Sequence, residues 1–140
     1  MYGDTAAGRK RAAQLREQGG DIRTLATRLV SQAEAVPWHG KAADAMRERI
    51  KERAAHLRSA AAQHETAAES LGKHLTEVDS LKEAIEVRAH KATALLEDAR
   101  TRAAQAPEGS PPDEADALLL AFDPPPPGHQ DWLTVELPGL

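Results

Sequence analysis

Residues 36–40 read Val36-Pro37-Trp38-His39-Gly40, and they separate two alanine-rich stretches that each carry a seven-residue apolar repeat. Pro37 disfavours helical geometry at Val36, so a helix arriving from the N-terminal side ends there. Gly40 can adopt backbone conformations closed to other residues. A connection this short, about residues 37–40, returns the next helix alongside the first as an antiparallel hairpin. Trp38 stands at the tip of that hairpin. It cannot be buried there as a mid-helix residue would be, so it either caps the bundle end or presents an anchor to a partner.

Working outward, about residues 5–35 predict the first helix. Leu15, Ile22, Leu29 and Val36 recur every seven residues, and Ala12, Leu25, Ala26 and Ala33 widen the stripe. This is an amphipathic face with a narrow seam. Gly19-Gly20 is its weak point, at about 1 kcal/mol per glycine relative to alanine, and a bend or restart is expected there with Asp21 as cap. About residues 41–104 predict a much longer second helix. Ile50, Leu57, His64, Leu71, Val78, Ile85, Ala92 and Ala99 are spaced by seven. Ala54, Ala61, Ala68, Leu75, Ala89 and Leu96 follow most of them by four. A strict seven-residue repeat implies left-handed supercoiling against another helix, and alanines let the axes approach closely. The fold class is all-α.

The two lengths do not match. At 1.5 Å per residue the helices span about 46 Å and about 96 Å. Thr5 is then expected beside Leu71, close to Gly72. Beyond that point Val78, Leu81, Ile85, Leu95 and Leu96 have no partner in the hairpin. A fold-back at Gly72, the C-terminal segment or a second chain could cover them. Because the repeat continues through Gly72, a second chain is the expectation. The result is a four-helix-bundle or coiled-coil dimer. Its interface comprises Leu15, Ile22, Leu29, Ile50, Leu57, His64, Leu71, Val78, Ile85 and Leu95.

Composition narrows the function. Apolar residues make up 41% of the 140, about half of them alanine, and aromatics only 3%. That is too little bulk to fill the layers of an α/β enzyme or a β-sandwich. Without cysteine there is no disulfide scaffold and no four-cysteine zinc site. No apolar run approaches the roughly 20 residues of a membrane span. Met1-Tyr2-Gly3-Asp4 lacks the charged-then-apolar pattern of a signal peptide, so a cytoplasmic start is expected.

The net charge of −4 divides unevenly. Residues 1–106, the hairpin region, hold all 18 Lys and Arg against 15 acids; residues 107–140 hold seven acids and no Lys or Arg. The interspersed signs of the first region mark solvated helix surfaces, and no basic block with interleaved aromatics points to nucleic acid. The second region is a Pro-rich acidic tail with all but one of the nine prolines. A short helix is expected over about 113–122, capped by Asp113 and carrying Leu118, Leu119, Leu120 and Phe122. Pro124 to Pro127 then favour an extended segment. Trp132, Leu133, Val135 and Leu137 alternate with polar residues as in a short strand or a docking peptide over 132–137. The tail reads as a recognition segment with anchors at Leu118, Leu119, Phe122, Trp132, Leu133, Val135 and Leu137; the alternative is that these fold back onto the chain's own helices.

Nothing in the chain argues for catalysis, a cofactor or a metal. His64-Glu65 lacks the second histidine of an H-E-x-x-H motif, and His56 lies eight residues from His64, too far to share one ion on a helix. On the repeat, His64 is a register-setting polar residue. Glu97 and Asp98 are adjacent and face different directions. No nucleophile elbow or phosphate loop appears.

Trp38-His39-Gly40 between two alanine-rich helices, followed by Lys41-Ala42-Ala43-Asp44-Ala45-Met46-Arg47-Glu48-Arg49, resembles the WXG100 family of type VII (ESX) secretion, over about residues 5–104. It looks especially similar to the N-terminal domains of actinobacterial type VII-secreted toxins. The resemblance implies a four-helix bundle made from two hairpins, as homodimer or heterodimer. It also implies a non-enzymatic role as an exported substrate or as the pairing partner of one, with another WXG-type hairpin or a secreted toxin as partner. Members carry Tyr-x-x-x-Asp/Glu after the second helix, whereas Tyr2 is the only tyrosine here. The chain then fits the member of a pair that lacks this signal, or one that uses its tail. The alternatives are a cytoplasmic coiled-coil adaptor with a peptide-like tail and a toxin immunity protein.

Overall fold

Asp4 opens the first helix by accepting a hydrogen bond from the Ala6 amide at 2.9 Å. The computed structural model describes residues 4–140; Met1, Tyr2 and Gly3, part of the N-terminal reading above, lie outside the described residues. Helix α1 runs Thr5–Ala35, α2 Lys41–Gln105 and α3 Glu114–Leu120, and a 3-10 turn covers Gln130–Thr134. The protein is all-helical, with no strand among the described residues. Its chain divides into two units, residues 4–76 and residues 77–140, with α2 contributing to both.

In residues 4–76 the two long helices pack together. Val36 is extended at φ −72°, ψ 124°, as the residue before a proline must be, and Gly40 has φ 107°, a region that disfavours side chains. Contacts climb along α1 as they fall along α2. Ala33 meets Arg47, Gly19 meets Ala61, and Gly8 meets Leu75. The buried α1 residues are Ala12, Gly19, Ala26 and Ala33, spaced by seven; on α2, Ala54, Ala61 and Ala68 are fully covered. A Cβ at Gly19 would stand 3.1 Å from the Ala61 carbonyl oxygen, which measures how closely the two backbones approach. The expected restart with Asp21 as cap does not occur, because α1 passes through Gly19-Gly20 uninterrupted. Close packing at this position offsets glycine's propensity cost of about 1 kcal/mol. The register also differs from expectation, since Leu75 rather than Leu71 reaches the first turns of α1. Helical leucines lean toward their own N-terminus, so Leu75 covers the level of the preceding turn.

In residues 77–140 the tail folds over α2. Ile85, 1% exposed, forms a core with Ala92 and Trp132, joined by Phe122, Leu133, Val135 and Leu137. Leu96 and Ala99 form a second core with Leu119, joined by Leu95. This corrects the expectation that a second chain covers Ile85 and Leu95. The segment 107–140 supplies the missing apolar surface itself. Leu81 remains exposed, and α2 passes through Gly72 unbroken, so no fold-back occurs.

Candidate interaction surface

The turn is fastened from α2. Arg47 donates to the Val36 and Trp38 carbonyls, each at 2.7 Å, and to the Ala33 carbonyl at 3.3 Å. These oxygens lie in or just beyond the last turn of α1, which has no basic residue of its own there. A guanidinium satisfies orphan carbonyls and meets the negative end of the helix dipole. The role of Arg47 escaped sequence reasoning. One signal was available, a last helical turn without a cation beside an arginine one turn into the next helix. The Gly40 carbonyl accepts the first helical bond of α2 from Asp44 at 3.0 Å. Trp38 is fastened through its backbone, its amide to the Val36 carbonyl and its carbonyl to Arg47, while the residue is 57% exposed, which corrects the bundle-capping alternative.

Beside the alanine seam lie the larger members of the repeat. Leu15, Ile22 and Leu29 of α1 and Ile50, Leu57, His64 and Leu71 of α2 are only half-buried. The physical reason is the closeness of the seam. When alanines and a glycine bring two helices together, the residues three or four positions away are pushed to the flank of the contact. Leu29 and Leu57 thus line one open groove with Arg53 and His56. His64 bonds through Nδ1 to the Ala60 carbonyl at 2.9 Å. Arg23 and Glu65 form a two-pronged ion pair at 2.7 and 3.0 Å between the helices. That hydrogen bond draws the Glu65 carboxyl below its ordinary range and the Arg23 guanidinium above its own.

The tail anchors gather on α2. Trp132, 5% exposed, meets Phe122 edge-on with ring centroids 6.1 Å apart, and its Nε1 donates to the Pro126 carbonyl at 3.1 Å. Arg88 donates to the Trp132 carbonyl at 2.8 Å and also to that of Val135. This explains why 132–137 does not form the strand that its alternation suggested. A strand needs a neighbouring ladder, and here a guanidinium takes the carbonyls instead. His129 caps the resulting turn, its Nδ1 accepting from the Asp131 amide at 3.1 Å. The short helix starts one residue later and stops two earlier than the expected 113–122. Asp113 accepts from the Asp116 amide at 2.7 Å, and Asp116 pairs with Arg102 of α2 at 2.8 Å. Leu119 is buried, whereas Leu118 faces solvent.

Among the described residues no group of three or more acids and histidines is placed to hold a metal ion, and no helix is long and apolar enough to cross a membrane. No family model, curated protein or solved structure matches the chain.

Proposed function

We propose that this chain is a non-enzymatic helical pairing module of the WXG100 type. It acts in type VII secretion as a substrate or as the partner of a secreted toxin, made in the cytoplasm and carried out with its pair. The observation that carries this reading is the half-buried stripe of residues 4–76. Leu15, Ile22, Leu29, Ile50, Leu57 and Leu71 keep their spacing of seven, yet two helices alone leave them partly in water. Full burial of such a side chain is worth about 1.5–3 kcal/mol, so a second helical pair laid over the stripe gains a large part of that at each position. Two hairpins stacked this way make a four-helix bundle. The W-x-G turn supports the secretion setting, with solvent-facing Trp38 as an anchor. The packing of 107–140 on α2 weighs against an adaptor whose tail is a free peptide.

Light scattering on the chain, alone and mixed with the product of its neighbouring gene, tests the reading. A stoichiometric helical complex in either case is the expected result. Trp38→Ala should leave the melt of the chain within about 0.5 kcal/mol, as for an exposed residue, while weakening the complex. A chain that stays monomeric in both mixtures would overturn the proposal.

A further inference from the structure

Around Leu29 and Leu57 the half-buried stripe is bordered by more basic than acidic side chains. Arg53 and His56 share its groove with Leu29 and Leu57, and Arg49 stands with Arg53, His56 and Glu52 on the adjoining surface. Arg11 precedes Leu15 by four residues and Arg53 precedes Leu57 by four, spacings that place each on the side of its leucine. Among the described residues of 4–76, nine Lys and Arg, with Arg11, Arg49 and Arg53 among them, have no hydrogen-bond or ion-pair partner, against five acids, Glu17, Asp21, Glu34, Glu48 and Glu52; Asp44, Glu65 and Glu69 are paired with Arg47, Arg23 and Lys73. Residues 4–76 hold thirteen Lys and Arg against nine acids, a net of +4, while residues 77–140 hold five against thirteen, a net of −8.

We infer that the stripe takes an acidic amphipathic helical partner rather than a second copy of this chain, an inference that rests on the pairing reading above. A second copy laid stripe to stripe would bring an equally basic rim against this one, and like charges facing each other across an apolar contact oppose association. A partner with Glu or Asp at the rim gives the unpaired arginines their counter-charges and leaves the apolar centre unchanged. Selection between partners then comes from the rim, and contact area from Leu15, Ile22, Leu29, Ile50, Leu57 and Leu71.

The test uses the full chain and two synthetic helices of about 28 residues, four heptads, with leucine at the first and fourth positions of each. One carries glutamate at every flanking position; its twin carries lysine. Binding is followed by fluorescence anisotropy at about 50 mM and about 500 mM salt, where screening lengths differ several-fold. The glutamate helix should bind about tenfold more tightly at low salt, with the preference shrinking at high salt. The double variant Arg49→Glu/Arg53→Glu, checked for unchanged helicity, should reverse the preference. Equal binding of the twins overturns the inference and leaves pairing intact. Failure of both on a monomeric chain overturns inference and pairing together. A salt-insensitive dimer of the chain alone, closed to both helices, identifies a second copy as the occupant and also overturns the inference.

Discussion

Helix α2 carries one apolar repeat along its length, but its two halves are covered in different ways. In residues 4–76 the cover is another helix, held by a seam of Ala12, Gly19, Ala26 and Ala33 against Ala54, Ala61 and Ala68. In residues 77–140 the cover is the short helix α3 and a largely irregular stretch after it, with one tryptophan, one phenylalanine and several leucines. A helix on a helix satisfies its own backbone, so the contact needs only close approach. It touches along one line and leaves flanking leucines and isoleucines half-covered. An irregular segment can wrap around bulky residues and bury Ile85 almost completely, but its carbonyls then need outside donors. Arg88 supplies them. The first kind of cover leaves apolar side chains half-buried; the second closes the same repeat within the chain.

The largest effect is expected where the irregular cover depends on one side chain. Trp132→Ala should cost about 3–5 kcal/mol of the stability of residues 77–140. Hydrogen exchange should show α2 beyond residue 77 opening far more readily, with residues 41–76 protected as before. Deleting 107–140 should expose Ile85 and Leu96 and lower helicity over the same stretch; unchanged circular dichroism would mean that this half of α2 stands without cover.

The helix-on-helix seam should be broken by bulk. Gly19→Leu places a branched side chain against the Ala61 backbone, which cannot retreat, so a loss of about 1–3 kcal/mol is expected from chemical denaturation. Gly20 is the internal control. A Cβ there meets nothing within 4 Å, so Gly20→Ala should raise stability by up to about 1 kcal/mol through helix propensity alone. Equal effects at the two glycines would refute close approach at Gly19.

The smallest effect concerns pH. The hydrogen bond from Arg102 holds the Asp116 carboxyl below its ordinary range. A depressed folded value stabilises above the unfolded carboxylate range and is lost as pH falls through the folded value. Mild acidification below the ordinary Asp range should therefore loosen α3 from α2, and Asp116→Asn should remove that part of the pH dependence. An unaltered acid transition in the variant would show that the pair contributes nothing.

Much of this was legible in the residues. The two long helices, the break at Val36-Pro37 and the alanine seam follow from local rules: a seven-residue repeat, a proline that forbids helix before it, and side chains small enough for close contact. What the local rules could not supply was pairing at a distance. Gly19-Gly20 reads as a break because propensity counts only the glycine, not the Ala61 oxygen it faces. Residues 132–137 read as either a short strand or a docking peptide, because alternation does not show that Arg88, more than forty residues upstream, bonds the carbonyls. Arg47 looks like ordinary helix surface until the end of α1 arrives beside it.

By itself, then, the sequence determined the helical class, the element lengths and which positions are apolar, since these depend on near neighbours along the chain. The tertiary structure alone decided what covers each apolar position. Ile85 could be buried equally well by a second chain or by the tail, because apolar burial has no direction. The choice was made by Trp132, Phe122 and the Arg88 hydrogen bonds acting together, a juxtaposition that exists only once residues 77–140 have folded.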